Sequence, residues 1–334
     1  LTAPLVSFVV IGLNEAEHLR ASIESLSSQG FEREQIEILY VDSGSSDGSV
    51  EVARKAGVDR VLSIERSGAN AARARNQGLQ HVEAPFVHFV DGDTRLQPGW
   101  TRIGIDALEA DPGLVGVEGD LREARPAANL YDAVCELDWP ALAGPVDYVG
   151  GNSLYRVQPL RDIGGFDPVM YVGEEPELGA RLRGNGGRMI HLDSVMAWHH
   201  LDIRSLREYL RRNYTSGLSC AMVALKTGGL LHGYWSGRLW RTLGHAALLT
   251  GPLLIAIPVL AAGHGWHAAG LACVSATWLL LLALRKSRSP QYRSQPGNLA
   301  LAGGLHTYVA KLPAALGIVS VLWRDRVRHR GIES

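Results

Sequence analysis

The chain has 334 residues, with 33 Lys and Arg against 34 Asp and Glu. That is long for one typical domain, and a net charge of -1 gives no electrostatic footprint for nucleic acid. Cys135, Cys220 and Cys273 are odd in number, far apart and never in a CxxC pair, so neither a disulfide framework nor a zinc site is indicated. A reducing compartment fits.

The N-terminal stretch "LTAPLVSFVVIGLNE" has no basic n-region and does not read as a signal peptide. Within it "VSFVVIG" is a buried strand, apolar and rich in β-branched residues. "EAEHLRASIESLSSQ" places Leu19, Ile23 and Leu26 on one helix face. "IEILYVDSG" is a second strand and "SDGSVEVARKAG" a helix closed by Gly57. "RVLSIE" is a short strand and "GANAARARNQGLQHV" a helix. "FVHFVD" is the fourth strand, "PGWTRIGIDALEADPG" a helix with an early Pro98, and "LVGVEGDLRE" the fifth strand. Alternating strands and helices with apolar strands predict an α/β sheet, mostly parallel, with helices on both faces. Ligands in such sheets bind at the carboxyl ends of strands, where Asp42 and Asp91 lie.

Beyond Arg125 the alternation weakens. "DYVGGNSLYRV" reads as strand and turn, and "GGFDPVMYVGEEPELGARLRGNGG" as a loop feeding a helix that ends near Gly184. "RMIHL" is a strand, and "IRSLREYLRRNYTSGLSCAMVAL" a helix with a basic face. The apolar runs at 246–262 and 268–284 carry no charge, and each is close to the roughly 20 residues that cross a bilayer. Arg238 and Arg241 precede them; Arg285, Lys286, Arg288 and Arg293 follow; "GHGWH" between them has no Lys or Arg. That pattern predicts a multi-pass hairpin in the cytoplasmic (inner) membrane with both ends inside. Residues 299–323 form a third apolar region, interrupted by Lys311 and Pro313 and followed by the basic "RDRVRHR". A full span would put that tail outside, so an interfacial or re-entrant helix is the reading adopted. The domains expected are residues 1–125 for the donor nucleotide, 126–230 for the acceptor and base, and 238–334 for the membrane.

Several site motifs are absent. No GxGxxG follows the first strand and no Walker A motif occurs. "DGDTRLQPGWTR" is no calcium loop, since Arg102 stands at its twelfth position. What remains is acidic: Asp42, Asp91 and Asp93 at strand ends, Glu174 and Glu175 heading a later helix. Singly, each has a plain structural explanation, as a turn residue, an N-cap or a helix-dipole partner. Together they suggest more. Asp-x-Asp suits a hard divalent cation, Mg²⁺ or Mn²⁺, whose shell a diphosphate can complete.

On these pieces, in order from "VVIGLNEAEHL" through "EILYVDSGSSDGS", "GANAARARNQGL", "FVHFVDGDT", "GGNSLYR" and "GGFDPVMYVGEEPELGARLRGNGG" to "WHHLDIRSLREYLRR", the chain resembles an inverting family 2 glycosyltransferase of the GT-A fold, in its membrane-bound branch. The resemblance implies a catalytic domain facing the cytoplasm, a nucleotide-sugar donor and a lipid-linked or surface-glycan acceptor. It implies that Asn14 and Glu15 line the nucleotide pocket and Asp42 meets the base, with Ser43 where the family often has a second Asp. Asp91 would lie near ribose and metal, and Asp93 would hold the metal on the diphosphate. Glu175 would be the base and Glu174 its neighbour, where the family usually has Glu-Asp. Gly151 and Asn152 would form the acceptor-side turn, and His200 rather than His199 would complete the metal shell. Arg211 and Arg212 would close over the diphosphate or face lipid headgroups. Two rival readings fit these residues less well. A nucleotidyltransferase would show a Gly-rich basic loop that "IGLNEAEH" lacks. An inactive glycan-binding scaffold would not be expected to keep Asp91, Asp93 and Glu175.

Overall fold

The computed structural model describes residues 3–125, 129–137, 139, 142–231, 233–293 and 295–330. Ser334 and the side chains of Arg293 and of the basic tail past Asp325 lie outside the described residues. The chain divides into two compact units, residues 1–125 with 139–201 and residues 126–138 with 202–334. This differs from the boundaries expected. Residues 139–201 join the first 125 because their strands complete the same sheet.

The first unit runs β1 (Val6–Gly12), α1 (Leu19–Leu26), β2 (Ile36–Asp42), α2 (Ser49–Lys55), β3 (Arg60–Ser63), α3 (Ala71–Leu79), β4 (Phe86–Asp91), β5 (Thr94–Leu96), α4 (Trp100–Ala110) and β6 (Leu114–Glu123). After α5 (Leu130–Glu136), which belongs to the second unit, come β7 (Gly144–Val146), β8 (Leu154–Arg156), α6 (Val157–Asp162), α7 (Glu174–Gly184) and β9 (Arg188–His199). The strands join in the order β3-β2-β1-β4-β8-β6-β9-β5, with β7 on β9. β3, β2, β1 and β4 are mutually parallel; β8 is antiparallel to both its neighbours. The sheet is therefore mixed. β5 and β7, each three residues long, carry too little periodicity to be legible in the sequence.

β1 explains why a sheet forms here. Val6, Phe8 and Val10 point into one core, packed with Leu19, Ile23 and Leu26 of α1 and with Ile105 and Leu108 of α4. Val9 and Ile11 point into the other, against Ala72 and Leu79 of α3 and Leu178 of α7. A strand buried on both faces must be apolar throughout, as "VSFVVIG" nearly is. Gly78 lets α3 lie directly on Val9, since a side chain there would overlap it. The His of "FVHFVD", His88, is fully buried, bonded to Thr101 Oγ1 at 3.0 Å, and burial pushes it down to about 3, so it stays neutral. Register places Ile11 opposite Asp91 and Gly12 opposite Asp42, so the three strands end together.

The second unit contains α5, α8 (Leu206–Thr227), α9 (Tyr234–Ala261), α10 (Gly265–Ser287), α11 (Pro290–Arg293), α12 (Gly297–Val309) and α13 (Lys311–Arg330). Among the described residues, three helical stretches are long and apolar enough to cross a membrane: Tyr234–Ala261, Gly265–Ser287 and Gly297–Asp325. The first two are the expected hairpin. For the third, length and composition admit a span where an interfacial helix was expected. Its two halves have different neighbours, however. α12 packs on α10, while α13 packs along α8. Gly217 of α8 and Gly317 of α13 let those backbones approach so closely that a Cβ at either would overlap the other helix.

Candidate active site

The site begins at the strand ends of β1, β2 and β4. Leaving β1, Asn14 takes a left-handed conformation (φ 60°), which Asn tolerates better than most residues. Its N–H donates to Ser45 Oγ at 2.9 Å and its Oδ1 accepts from the Ser46 N–H at 2.9 Å. Glu15 N–H donates to Ser49 Oγ, also at 2.9 Å. These bonds tie the loop after β1 to the loop after β2. Asp42 is buried and accepts from the N–H groups of Gly44 and Ser45 at 3.0 and 2.9 Å, and from Tyr40 Oη at 3.2 Å. Its carboxylate thus builds the turn it begins. A cavity of about 270 Å³ opens here, lined by Gly12, Glu15, Ser43, Asn70, Asp91 and Asp93 among others. Three carboxyl groups on one cavity repel. Burial, then Asp93 and Asp91, push Glu15 up to about 7.

Asp91 is held from several sides. Its N–H donates to Asn152 Oδ1 at 2.7 Å, and Asn152 Nδ2 donates back to its Oδ2 at 3.0 Å. Arg75 Nη2 donates to its Oδ1 at 3.1 Å. Burial, reinforced by Asp93, raises the Asp91 carboxyl against the pull of Arg75. Asp93 is lowered despite burial, because His199 bonds and pairs with it; His199 Nε2 lies 3.2 Å from Asp93 Oδ2. β9 delivers His199, and its pairing with β5 sets Thr94 opposite His199.

Arg75 joins this strand end to the acidic pair. Its Nη1 reaches Glu174 Oε1 at 2.9 Å and Glu175 Oε1 at 3.6 Å. Arg75 is 2% exposed; burial opposes its charge, but Asp91, Glu175 and Glu174 outweigh that and raise it. Glu174 is buried, whereas the Glu175 side chain keeps 21% exposure. Burial, with Glu174 beside it, pushes Glu175 up to about 7. Gly151 sits where these groups converge. A Cβ there would overlap Arg75 and stand 3.2 Å from Glu175 Oε1 and 3.3 Å from Asp91 Oδ2. The turn is fixed from behind: Gly150 N–H donates to Glu118 Oε2 at 2.7 Å, and His191 bridges Glu118 and Asp120 at 3.2 and 3.0 Å.

The structure thus gathers Glu15, Asp91 and Asp93 on one cavity, and Asp91, Gly151, Asn152, Glu174 and Glu175 around Arg75. It sets Asn14 and Asp42 into the bordering turns. His199 lies against Asp93, while His200, the residue expected there, stacks on His18 with ring centroids 4.3 Å apart. His199 is the last residue of β9 and His200 the first beyond it, so the end of the strand separates their side chains. Arg211 and Arg212 are exposed on α8 in the second unit. Arg75 was missed, although a signal exists. It falls with Ala72 and Leu79 at helical spacing (i, i+3, i+7), so a charge occupies the buried stripe of α3.

Among the described residues no group of three or more His, Cys, Asp or Glu is already arranged around a metal position. The donor types nevertheless fit a divalent cation. Two carboxylates and an imidazole suit Mg²⁺ or Mn²⁺, which complete their shells with phosphate oxygens and water.

Residues 7–129 match the family model of glycosyl transferase family 2. Glycosyltransferase AglE of Haloferax volcanii is 24% identical over 253 residues, 73% of this chain and 82% of AglE. The pre-mycofactocin glycosyltransferase of Mycobacterium tuberculosis is 29% identical over 66% of this chain, which spans about half (48%) of that protein. Among solved structures, a mannosyltransferase of Pyrobaculum calidifontis in complex with GDP-Man and Mn²⁺ superposes with a TM-score of 0.60 at 18% identity, covering 94% of this chain and 88% of the other. At that identity the likeness establishes the GT-A-type fold.

Proposed function

We propose, from the match of residues 7–129 to glycosyl transferase family 2, that this chain is a family 2 glycosyltransferase carrying out an inverting, divalent-metal-dependent sugar transfer to a hydroxyl of a lipid-linked or surface-glycan acceptor. The donor is a nucleotide sugar. Transfer takes place at the cytoplasmic face of the inner membrane, into which α9 and α10 insert as a hairpin. Two solved relatives of similar fold were captured with such donors, the mannosyltransferase with GDP-Man and Staphylococcus aureus TarS with UDP-GlcNAc.

The observation that carries this reading is the Arg75 cluster. One buried guanidinium binds Asp91, at the metal and donor end, and the Glu174–Glu175 pair, at the acceptor end. Asp91, Asp93 and His199 are the residues that would hold Mg²⁺ or Mn²⁺. The bound cation would neutralise charge developing on the leaving diphosphate, usually a large contribution to rate. Glu15 lines the cavity, and Asn14 and Asp42 build the turns beside it that would face the nucleoside.

Glu175 is the general base. It is partly exposed, so a substrate hydroxyl can reach it, and its value near 7 suits proton transfer at neutral pH. Glu174 is buried against Arg75 and positions that guanidinium. As the acceptor oxygen attacks the anomeric carbon from the face opposite the diphosphate, Glu175 takes its proton. The carbon–oxygen bond to phosphate breaks and the anomeric configuration inverts. No covalent intermediate is needed. A thermal-shift screen of UDP-, GDP- and dTDP-sugars with Mn²⁺, followed by donor hydrolysis with and without chelator, tests this reading. Absence of any metal-dependent nucleotide-sugar binding would overturn it.

A further inference from the structure

The second unit holds a cavity of about 430 Å³ between α8, α9, α12 and α13. That volume falls within the usual range of small-ligand pockets, roughly 300–1,000 Å³. Three cations line it: Arg238 and Arg241 from α9 and Lys311 from α13. Asn213, Ser216 and Thr242 add neutral hydrogen-bonding groups, and no Asp or Glu is among the described lining residues. The cations converge. Burial raises the Cys220 thiol of α8, and Arg238, Lys311 and Arg241 all act on it in the opposite direction, which places all three charges near one sulfur.

Two features set the depth of this cavity. Arg238 and Arg241 lie in the early turns of α9, just ahead of the charge-free run at 246–262. Cations at that boundary meet the phosphate layer of a bilayer. Lys311 is the one charged side chain between residues 297 and 323. Charge within an apolar helix is expensive and marks a functional position by default. Here it lines the same cavity as the two boundary arginines.

We propose that this cavity binds the phosphate head of an anionic membrane lipid. Three cations match a phosphate monoester or diphosphate, and the hydroxyls and amide can satisfy its remaining oxygens. A zwitterionic headgroup is disfavoured, because the lining offers no carboxylate to its ammonium. The site is independent of the transfer chemistry, so it stands or falls by binding alone.

The test uses the full chain in maltoside micelles, read by native mass spectrometry without donor or metal. Phosphatidic acid, phosphatidylcholine and inorganic phosphate are the probes. One phosphatidic acid per chain is expected, retained about tenfold more tightly than phosphatidylcholine. Lys311→Gln and the pair Arg238→Gln/Arg241→Gln should each weaken it by about tenfold or more. Lys311→Arg should retain it. So should the pair Arg285→Gln/Arg288→Gln, which removes two charges elsewhere at the membrane boundary. If Lys311→Gln does not elute as the parent chain does, the Arg238/Arg241 pair decides. Three results would overturn the proposal: equal retention of both lipids, equal loss in the control pair, or displacement of the lipid by an equal concentration of inorganic phosphate, which would mark a soluble-anion site.

Discussion

Arg75 donates to Asp91 at 3.1 Å from a position only 2% exposed to solvent. The same group holds Glu174 at 2.9 Å, so a single side chain of α3 spans from the end of β4 to the start of α7. Four ionisable groups share one polar pocket, and only one of them is a cation.

Arg75→Met should therefore damage both folding and turnover. Removing one partner of a buried ion cluster typically costs about 3–5 kcal/mol, because the remaining charges stay buried. Arg75→Lys keeps the charge but not the planar fork that serves separate carboxylates. It should fall between Met and Arg in both thermal stability and rate. A Met variant that melts with the parent and turns over normally would remove Arg75 from the site.

The two adjacent histidines should separate sharply. His199→Ala removes the imidazole beside Asp93 and should raise the Mn²⁺ concentration needed for half-maximal activity by about tenfold or more. His200→Ala breaks the stacking on His18 and should leave metal dependence unchanged. Asp93→Ala should abolish metal-dependent nucleotide binding. Metal titration of activity, with donor binding in parallel, checks all three.

Glu175→Gln should slow transfer by about 10²–10⁴-fold with donor binding nearly unchanged. In the parent chain the rate should rise with pH along a limb centred near 7, as Glu175 loses its proton; the Gln variant should lack that limb. Stability should move the other way. The folded carboxyl holds its proton up to about 7, against an ordinary value of 4.5. Its contribution is fully present below about 4.5 and is lost as pH rises through about 7. Glu175→Gln should consequently melt higher than the parent at pH 8, yet not at pH 4. Glu174→Gln serves as the control for turnover. If it instead stops transfer while Glu175→Gln does not, the base is the other member of the pair.

Topology is checked with reporters. Gly263–His267 should label from outside, since the linker carries no Lys or Arg while both outer flanks are basic. The C-terminus should label from inside, because α13 packs along α8 and "RDRVRHR" favours the cytoplasm. A C-terminal reporter read from outside would make Gly297–Asp325 a third full span.

The alternating core of the first unit was legible because "VSFVVIG", "IEILYVD" and "FVHFVD" are apolar runs of strand length separated by amphipathic helices. Asp91, Asp93, Glu174 and Glu175 were visible because carboxylates at strand ends and helix starts stand out against such a background. Three things were hidden. β5 and β7 exist only through their pairing with β9, a long-range property that three residues cannot announce. The choice between His199 and His200 depends on which way a strand faces, and the bulges in the β6–β9 pairing shift that register. The partners of Arg75 are the third: its spacing with Ala72 and Leu79 marks the buried stripe of α3, but the carboxylates it binds come from β4 and α7, far along the chain.

The common ending of β2, β1 and β4 has a consequence for what the site accepts. Asp42 and Asp91 flank β1 on either side, level with Gly12 and Ile11. Neighbouring strands lie about 4.8 Å apart, so the two acidic strand ends stand roughly 10 Å from each other. That interval is a fixed gauge, set by backbone hydrogen bonds and not by flexible side chains. On the proposed reading, a donor must be long enough to present its base at one end of the gauge and its diphosphate at the other. A free sugar phosphate reaches only one mark. On that reading the sheet would select against short donors by length before any side chain discriminates between sugars.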